Sequence, residues 1–374
     1  MRPDCSPLLA NQARIGLAPM EGVIDAHTRD ILATIGGFDW MVTEFVRVVD
    51  ARLPPRVFTR LCPELTQGAT TRQGVPVTLQ LLGADPQALG ENALQAVACG
   101  AHAIDMNFGC PAKTVNRHRG GASLLKTPDA VFAAVSGVTR ALAGSAIPVS
   151  AKLRLGFENK QLALECARAA EAGGASHLSV HARTKREGYR PPAHWEWVAR
   201  IRQQARIPVI VNGDIWALED FWKARSLSGC KDVMIGRGAL ADPWLAIRIK
   251  HWLESGEHLP ATGWPLRAWA LAQFAHQLAG NVPDKIIVAL LKQWLAIMRQ
   301  HNDEAAQRFA CLKRLTDLPQ FLAALAAPST QALLDQEATQ PLIARSGMAS
   351  LLSAGTPRTA SNHAVETHAL APLN

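Results

Sequence analysis

The sequence lacks the cysteine spacing of a disulfide framework or a metal site. Its seven cysteines are odd in number and no two of them form a CxxC pair, which argues against cross-links and against zinc or iron–sulfur ligation. No apolar run reaches the roughly 18 residues that a membrane span needs, and residues 1–16 lack the apolar block of a signal peptide. We therefore expect a cytoplasmic protein without a metal ion and without a membrane partner.

A dinucleotide-binding fingerprint is also missing, because no apolar run is followed by GxGxxG. The charge balance, in contrast, is clearly positive. The net charge is +8 and the isoelectric point is near 9.3. This excess suggests an anionic partner, with nucleic acid among the candidates, but it does not require one.

What the chain does contain is eight short apolar runs that alternate with helical-looking segments. Strands as apolar as these, separated by helices, are typical of a parallel sheet that is covered on both faces. Eight such units within about 235 residues fit a closed barrel better than an open doubly wound sheet. The runs are residues 14–20, 40–46, 76–83, 103–109, 148–156, 177–184, 208–215 and 232–240.

The pattern changes beyond the eighth run, where the text becomes helical throughout and then rich in Ala, Ser, Thr and Pro. We therefore predict an α/β fold: a (β/α)₈ TIM barrel in residues 1–250 and an all-α domain in residues 257–327. A flexible tail follows at 328–374. No segment indicates a protein partner, so we expect a monomer.

Polar residues cluster where the eight runs end. In a (β/α)₈ barrel the active site lies at the carboxyl ends of the strands, and a buried strand would not otherwise tolerate these side chains. One of them could simply pair with a neighbour, whereas eight strand ends together predict a cofactor or substrate site. The residues are Pro19, Met20, Glu21, Glu44, Gln80, Asn107, Cys110, Lys152, Arg154, His181, Arg183, Asn212, Gly213, Asp214, Gly236, Arg237 and Gly238.

The ends of the last two runs indicate a phosphate, because glycine lets backbone N–H groups approach an anion closely. Arg237 would add a charge-assisted contact. Lys152 lies inside an apolar run and needs an electron-rich partner, since a buried unpaired ammonium is costly. A flavin ring meets that need. His181 and Asn212 could bond the ring or its phosphate, although a buried histidine can also be an ordinary core residue.

Cys110 stands between Gly109 and Pro111, where the chain leaves the fourth run. A zinc ligand would need companions that are absent, and a nucleophile would need a base, for which only His118 is local. A general acid beside a hydride donor needs neither, because a thiol can donate a proton at neutral pH. We predict that catalytic role for Cys110, with a structural cysteine as the alternative.

Taken in order, several segments resemble the tRNA-dihydrouridine synthase family over residues 14–244. Residues 43–50 and 292–300 look most like the bacterial subfamily that modifies position 16 of the D-loop. The matching segments are APMEGV (18–23), QLLG (80–83), DMNFGCPAKTVN (105–116), GGASLL (120–125), SAKLRLG (150–156), VHARTK (180–185), VNGDI (211–215) and MIGRGAL (234–240).

The resemblance implies FMN inside the barrel, reduced by NADPH. The reduced flavin would pass hydride to C6 of a tRNA uridine, and Cys110 would protonate C5 to give dihydrouridine. The FMN contacts that it implies are Pro19, Met20, Glu21, Gln80, Lys152, His181, Asn212, Gly213, Asp214, Gly236 and Arg237.

The resemblance also implies a tRNA substrate, whose target uridine must turn out of its stack to reach the pocket. Asn107 would help to position the uracil, and basic residues at the rim would meet phosphates. The helical region would bind RNA, although its basic residues could equally form an ordinary solvated face. The expected RNA contacts are Lys113, Arg183, Lys185 and Arg186 on the barrel, and Lys292 and Arg299 on the helical domain.

Two other functions remain open at this point. An FMN-dependent oxidoreductase acting on dihydroorotate or another free pyrimidine would share the flavin site, but would need neither the positive charge nor a basic helical domain. A non-catalytic tRNA-binding protein would bind RNA without a flavin. That alternative leaves Lys152, Asn212 and Arg237 unexplained.

Overall fold

The structure is a computed structural model that describes residues 13–112, 120–327, 341–342 and 344–345. It confirms the predicted α/β barrel. Eight strands close in chain order, from β1 beside β2 round to β8 beside β1, and every neighbouring pair is parallel. The predicted tail falls almost wholly outside the described residues.

Each of the eight predicted apolar runs corresponds to one strand, and β2 alone extends beyond its run, by one residue. The strands are β1 Ile15–Leu17, β2 Trp40–Arg47, β3 Val77–Leu82, β4 Ile104–Phe108, β5 Val149–Arg154, β6 Leu178–His181, β7 Val209–Asn212 and β8 Val233–Ile235. All residues of β5, β6, β7 and β8 are buried, as expected of strands covered on both faces.

The helices also follow the predicted order. They are α1 Ala26–Ile35, α2 Pro55–Leu61, α3 Pro86–Ala98, α4 Pro128–Ala141, α5 Ala163–Ala172, α6 Trp195–Gln204, α7 Leu218–Ser228, α8 Gly238–Ala241, α9 Leu245–Ser255, α10 Trp264–Leu278, α11 Asp284–Met298, α12 Asp303–Leu312 and α13 Leu318–Ala326. Short 3₁₀ helices occupy Pro63–Gln67 and Gly121–Lys126.

Local sequence explains several of the helix starts. Asp85 accepts a hydrogen bond from the N–H of Ala88 at 2.7 Å and so caps α3, which then begins at Pro86. Asn302 caps α12 in the same way. Such caps satisfy backbone donors that the first helical turn leaves without partners.

Part of the barrel interior is filled by apolar side chains, which we call the apolar side: Ala18, Val42, Ile210, Met234 and Trp40. Since β2 and β7 are not neighbours in the sheet, a cluster that joins them lies inside the barrel. Gly16 is required here, because a Cβ on it would lie 2.3 Å from Cε2 of Trp40. The indole therefore occupies the volume that a side chain on β1 would take.

The described residues fall into two compact units. The barrel unit comprises residues 13–26 and Phe38–Gly236, and the helical unit comprises His27–Gly37 and the residues from Arg237 onward. The predicted domain ranges 1–250, 257–327 and 328–374 stay a prediction, since compactness does not show which part folds alone.

The helical unit is held by indole hydrogen bonds and by a buried ion cluster. Nε1 of Trp264 on α10 donates to the carbonyl of Leu325 on α13 at 3.0 Å, and Nε1 of Trp294 on α11 donates to that of Leu240 at 3.0 Å. Asp242 accepts from Arg248 at 2.7 Å. The all-helical character predicted for this region is confirmed.

Candidate active site

Cys110 lies in a turn after β4 that is fixed on both sides. Oδ1 of Asn107 accepts hydrogen bonds from the N–H groups of Gly109 at 2.8 Å and of Cys110 at 2.9 Å. Nε of Arg154 donates to the carbonyl of Gly109 at 2.8 Å, and the N–H of Ala122 donates to that of Cys110 at 3.3 Å. The turn therefore holds the thiol at a defined position at the end of β4.

The Cys110 thiol is 8% exposed and packs against Leu82 of β3, with Phe45 of β2 beside it. Burial raises its pKa, and the charge of Glu21 raises it further, while Arg154 and Arg47 act in the opposite direction. The thiol consequently carries its proton at neutral pH. Such a group can serve as a general acid, whereas a nucleophile or a metal ligand would need the thiolate.

Arg154, at the end of β5, joins two of the loops around the site. Besides its bond to the turn after β4, its Nη1 donates to the carbonyl of Gly188 at 2.8 Å and to that of Thr184 at 3.1 Å. Its guanidinium lies 5.2 Å from the ring centre of Tyr189. The sequence identified Arg154 as a strand-end residue but assigned it no role, because these three acceptors come from distant loops.

Lys152 is buried inside the barrel and reaches across it. Its Nζ donates to Oδ1 of Asn212 at 3.2 Å, although β6 lies between their strands, and Nδ2 of Asn212 donates to the carbonyl of Met234 at 2.8 Å. Burial, together with the charge of Arg154, lowers the pKa of Lys152 to about 8, although the charge of Asp105 acts in the opposite direction. Among the residues that the structure describes, the Lys152 ammonium donates a hydrogen bond to Asn212. The ammonium therefore has N–H donors left for an anionic or electron-rich group.

Two of the predicted glycines directly follow β7 and β8. Gly213 has a φ of +117°, and a Cβ on it would lie 2.9 Å from Cδ2 of His181, so the backbone needs glycine there. Gly236 has neither constraint: an added Cβ would meet only Sδ of Met20 at 3.6 Å and Cβ of Ala18 at 3.7 Å. A glycine that the surrounding protein does not demand is consistent with a ligand that approaches the backbone.

His181 and Arg183 lie together beside these glycines. Nη1 of Arg183 is 3.4 Å from Nε2 of His181, and Nη2 pairs with Oδ2 of Asp214. Nε of Arg183 donates to the carbonyl of Arg190 at 2.6 Å. Arg183 was expected at the RNA-facing rim, but the structure shows it fully buried and paired with Asp214. Its contact with RNA stays a prediction.

The loop after β1 brings the first predicted cofactor residues to the same end of the barrel. Oε1 of Glu44 accepts from the N–H of Val23 at 3.0 Å and so fixes this loop on β2. Pro19 and Met20 are half-buried and Glu21 is exposed. The charge of Glu21 is one of those that raise the pKa of the Cys110 thiol.

Basic side chains gather around Phe157 at the mouth of the barrel. Nζ of Lys126 lies 4.0 Å and Nζ of Lys185 lies 4.8 Å from the centre of this ring. Within the described part of the chain, no ion pair neutralises either lysine. Arg186 is exposed, and its Nη1 is 3.9 Å from Oε2 of Glu158. This rim cluster of Lys126, Phe157, Lys185 and Arg186 can hold an anion.

The other residues predicted for the site belong to the helical unit or fall outside the described residues. Lys113 falls outside the described residues. Arg237 begins the helical unit as the residue before α8, and Lys292 lies half-buried on α11. Arg299 follows α11, with its guanidinium 4.2 Å from the ring centre of Phe309. Their predicted roles stay predictions.

The sequence missed one buried acid in the site, Asp105 on β4. Its side chain is 2% exposed and accepts hydrogen bonds from Gln80 and Ser150. The signal was present, because an aspartate inside the apolar run AIDMNFG needs a buried partner.

Over the residues that the structure covers, no helix is long and apolar enough to cross a membrane. Over the same part of the chain, no group of three or more His, Cys, Asp or Glu side chains could hold a metal ion.

Comparison with known proteins agrees with the family resemblance of the sequence segments. The family described as dihydrouridine synthase matches residues 16–330. A tRNA-dihydrouridine(16) synthase of Pseudomonas putida is 48% identical over 81% of this chain and 94% of its own length. The protein of the same name from Ralstonia nicotianae is 46% identical over 83% of this chain and 94% of its own length. A solved 2-naphthoyl-CoA reductase complex has a TM-score of 0.49 at 11% identity, over 64% of this chain and 50% of that one, and adds nothing to the fold described above.

Proposed function

Because the chain belongs to the dihydrouridine synthase family, we propose that it reduces the C5=C6 bond of a D-loop uridine in tRNA, at position 16. The relatives named above carry that position in their names. A tRNA substrate implies a cytoplasmic protein, and we propose that it acts as a monomer. FMN and NADPH are the proposed cofactor and reductant.

The observation that carries the proposal is the protonated Cys110 thiol in a fixed turn at the end of β4. Two backbone hydrogen bonds to Asn107 and one from Arg154 hold the turn. The raised pKa keeps the proton on sulfur at neutral pH. A general acid for carbon protonation needs this combination of position and protonation state.

The residues around Lys152 suit an FMN ring and phosphate. The buried ammonium has donors left for the electron-rich edge of the ring, and Gly236 leaves room for a ligand to approach the backbone after β8. The cofactor contacts proposed from the sequence are Pro19, Met20, Glu21, Gln80, Lys152, His181, Asn212, Gly213, Asp214, Gly236 and Arg237.

When bound and reduced, FMN would supply the hydride that C6 of the uracil accepts. Cys110 then donates its proton to C5, so that one hydride and one proton saturate the double bond. The resulting thiolate regains a proton from solvent. Asn107 is proposed to orient the uracil as well as the turn, and Lys152 counters the negative charge of the reduced ring.

The rim cluster supports RNA as the substrate. Lys126 and Lys185 bring two ammonium groups to one aromatic ring, and among the described residues neither lysine forms a salt bridge. A phosphate would neutralise both, and a base could stack on the exposed part of Phe157. Lys113, Arg183, Lys185 and Arg186 remain the proposed RNA contacts of the barrel, with Lys292 and Arg299 on the helical unit.

The test is the flavin spectrum of purified protein, reduced anaerobically with NADPH and then titrated with unmodified tRNA. Reoxidation that follows the added tRNA, with dihydrouridine mapped to position 16, is the expected result. Reoxidation by free uridine or orotate but not by tRNA would replace the proposal with the free-pyrimidine oxidoreductase. The absence of a flavin band would favour the non-catalytic binding protein.

A further inference from the structure

Beyond Cys110 and the proposed cofactor contacts, the barrel contains a buried carboxylate with no role in the reaction described above. Asp105 on β4 is 2% exposed. Its Oδ2 accepts from Nε2 of Gln80 on β3 at 2.7 Å, and its Oδ1 accepts from Oγ of Ser150 on β5 at 2.6 Å. These three residues stand at matching positions on three adjacent strands.

The same network continues to the Cys110 turn. Oε1 of Gln80 accepts from Nδ2 of Asn107 at 2.7 Å, and Oδ1 of Asn107 accepts from the N–H groups of Gly109 and Cys110. We call Gln80, Asp105, Asn107 and Ser150 the polar side. Lys152 shares their strand face and reaches Asn212 across β6, so these residues point into the barrel.

The backbone N–H groups of the Cys110 turn, at one end of this network, determine the direction of every hydrogen bond in it. A backbone N–H can only donate, so the atom of Asn107 that faces the turn must be its oxygen. Its amino group then faces Gln80, which must present oxygen to Asn107 and its amino group to position 105. Position 105 must therefore accept, and a carboxylate is the side chain that accepts on both oxygens.

We propose that Asp105 is a positioning residue that sets the orientation of the Gln80 and Asn107 amides and, through them, the position of the Cys110 thiol. Without an acceptor at position 105, the buried amino group of Gln80 has no partner, and the side chain can satisfy it only by leaving Asn107. The Asn107 amide, whose oxygen accepts from the turn, then loses the bond that supports its amino group. A buried donor without a partner is costly, so the turn would open.

The proposal predicts that exchanging the two groups preserves the turn. In Asp105→Leu, where a side chain of similar volume offers no acceptor, the amino group of Gln80 loses its partner and the network breaks. Gln80→Glu alone would not break it, because burial raises the pKa of Asp105 and the two carboxyl groups would share a proton. In the double variant Gln80→Glu/Asp105→Asn, the glutamate accepts from Asn107 and from the new amide, whose oxygen still accepts from Ser150. The number of carboxylates and amides is unchanged, and Asn107 keeps its orientation.

The readout is the alkylation rate of Cys110 by iodoacetamide, measured by peptide mapping on protein without tRNA. An opened turn exposes this thiol, so the rate should rise about tenfold or more in Asp105→Leu. It should stay within about twofold of the wild type in the double variant, which lacks the same aspartate but keeps the network. Buried Cys62 and Cys230 serve as internal controls, because they become reactive only if the barrel as a whole opens.

An unchanged Cys110 rate in Asp105→Leu would overturn the proposal, as would a double variant that is as reactive as Asp105→Leu. Parallel exposure of Cys62 and Cys230 would do so too, since the effect would then be global. The inference deepens the proposed function, but this measurement needs neither flavin nor tRNA. A protein that passes it and yet reduces no tRNA would refute the proposed function alone.

Discussion

The apolar side and the polar side fill the same barrel by different means. Ala18, Val42, Ile210 and Met234 fit around Trp40 by shape. Asp105 and Gln80 are instead held by hydrogen bonds whose directions cannot be exchanged one at a time. Packing tolerates small shifts in direction, whereas a donor–acceptor chain fixes orientation. The proposed chemistry accordingly lies beside the polar side, where orientation matters most.

The largest effect should come from Cys110→Ala, which removes the proposed acid and leaves the two sides intact. We expect turnover with tRNA to fall about 10²-fold or more, with flavin content and tRNA affinity unchanged. Cys99→Ala, at a half-buried thiol elsewhere in the barrel unit, is the matched control and should keep normal turnover. A near-normal rate for Cys110→Ala would exclude the thiol as the proton donor.

Lys152→Met removes the cation that shares a strand face with the polar side. Loss of a charge-assisted contact should weaken FMN binding about 10- to 100-fold, measured by flavin fluorescence on titration. In the wild type, FMN affinity should fall as pH rises above about 8, because Lys152 then loses its proton. Lys152→Met should lack that fall, so an equal fall in both proteins would assign it to another group.

Gly16→Ala tests the apolar side by itself. The new methyl group would meet the Trp40 indole, so we expect a loss of about 1–3 kcal/mol in unfolding free energy, measured by urea denaturation. Adding Trp40→Leu should offset part of this loss, giving a double variant less destabilised than the sum of its parts. Additive losses would show that Gly16 and Trp40 do not share the volume. Cys110 alkylation in the folded state should stay at the wild-type rate.

The smallest effect should come from Lys185→Ala at the rim cluster, outside both sides. One lost phosphate contact should weaken tRNA binding a few-fold and lower the salt dependence by about one unit of slope. Lys223→Ala, an exposed lysine on α7, removes the same charge elsewhere and should change neither. Equal losses of tRNA affinity in both variants would show that Lys185 acts only through the net charge of the protein.

Local sequence was sufficient for much of the fold. Uninterrupted apolar runs predicted all eight strands, and residues such as Asp85 and Asn302 begin helices by capping them. The polar strand ends included Lys152 and Asn212, which the structure brings into hydrogen-bond contact, because parallel strands present their carboxyl ends at one rim. Arg183 was harder to interpret, since its pairing with Asp214 depends on a turn 31 residues away.

The sequence by itself therefore determined the barrel, its helices and the group of residues near Cys110, because periodicity and strand ends are local properties. Only the tertiary structure decided that the Cys110 thiol keeps its proton, since its pKa depends on burial and on charges from other strands. The partners of Asp105 were decided in the same way. Gln80 and Ser150 are far from it in the chain, and the closure of parallel strands makes them neighbours.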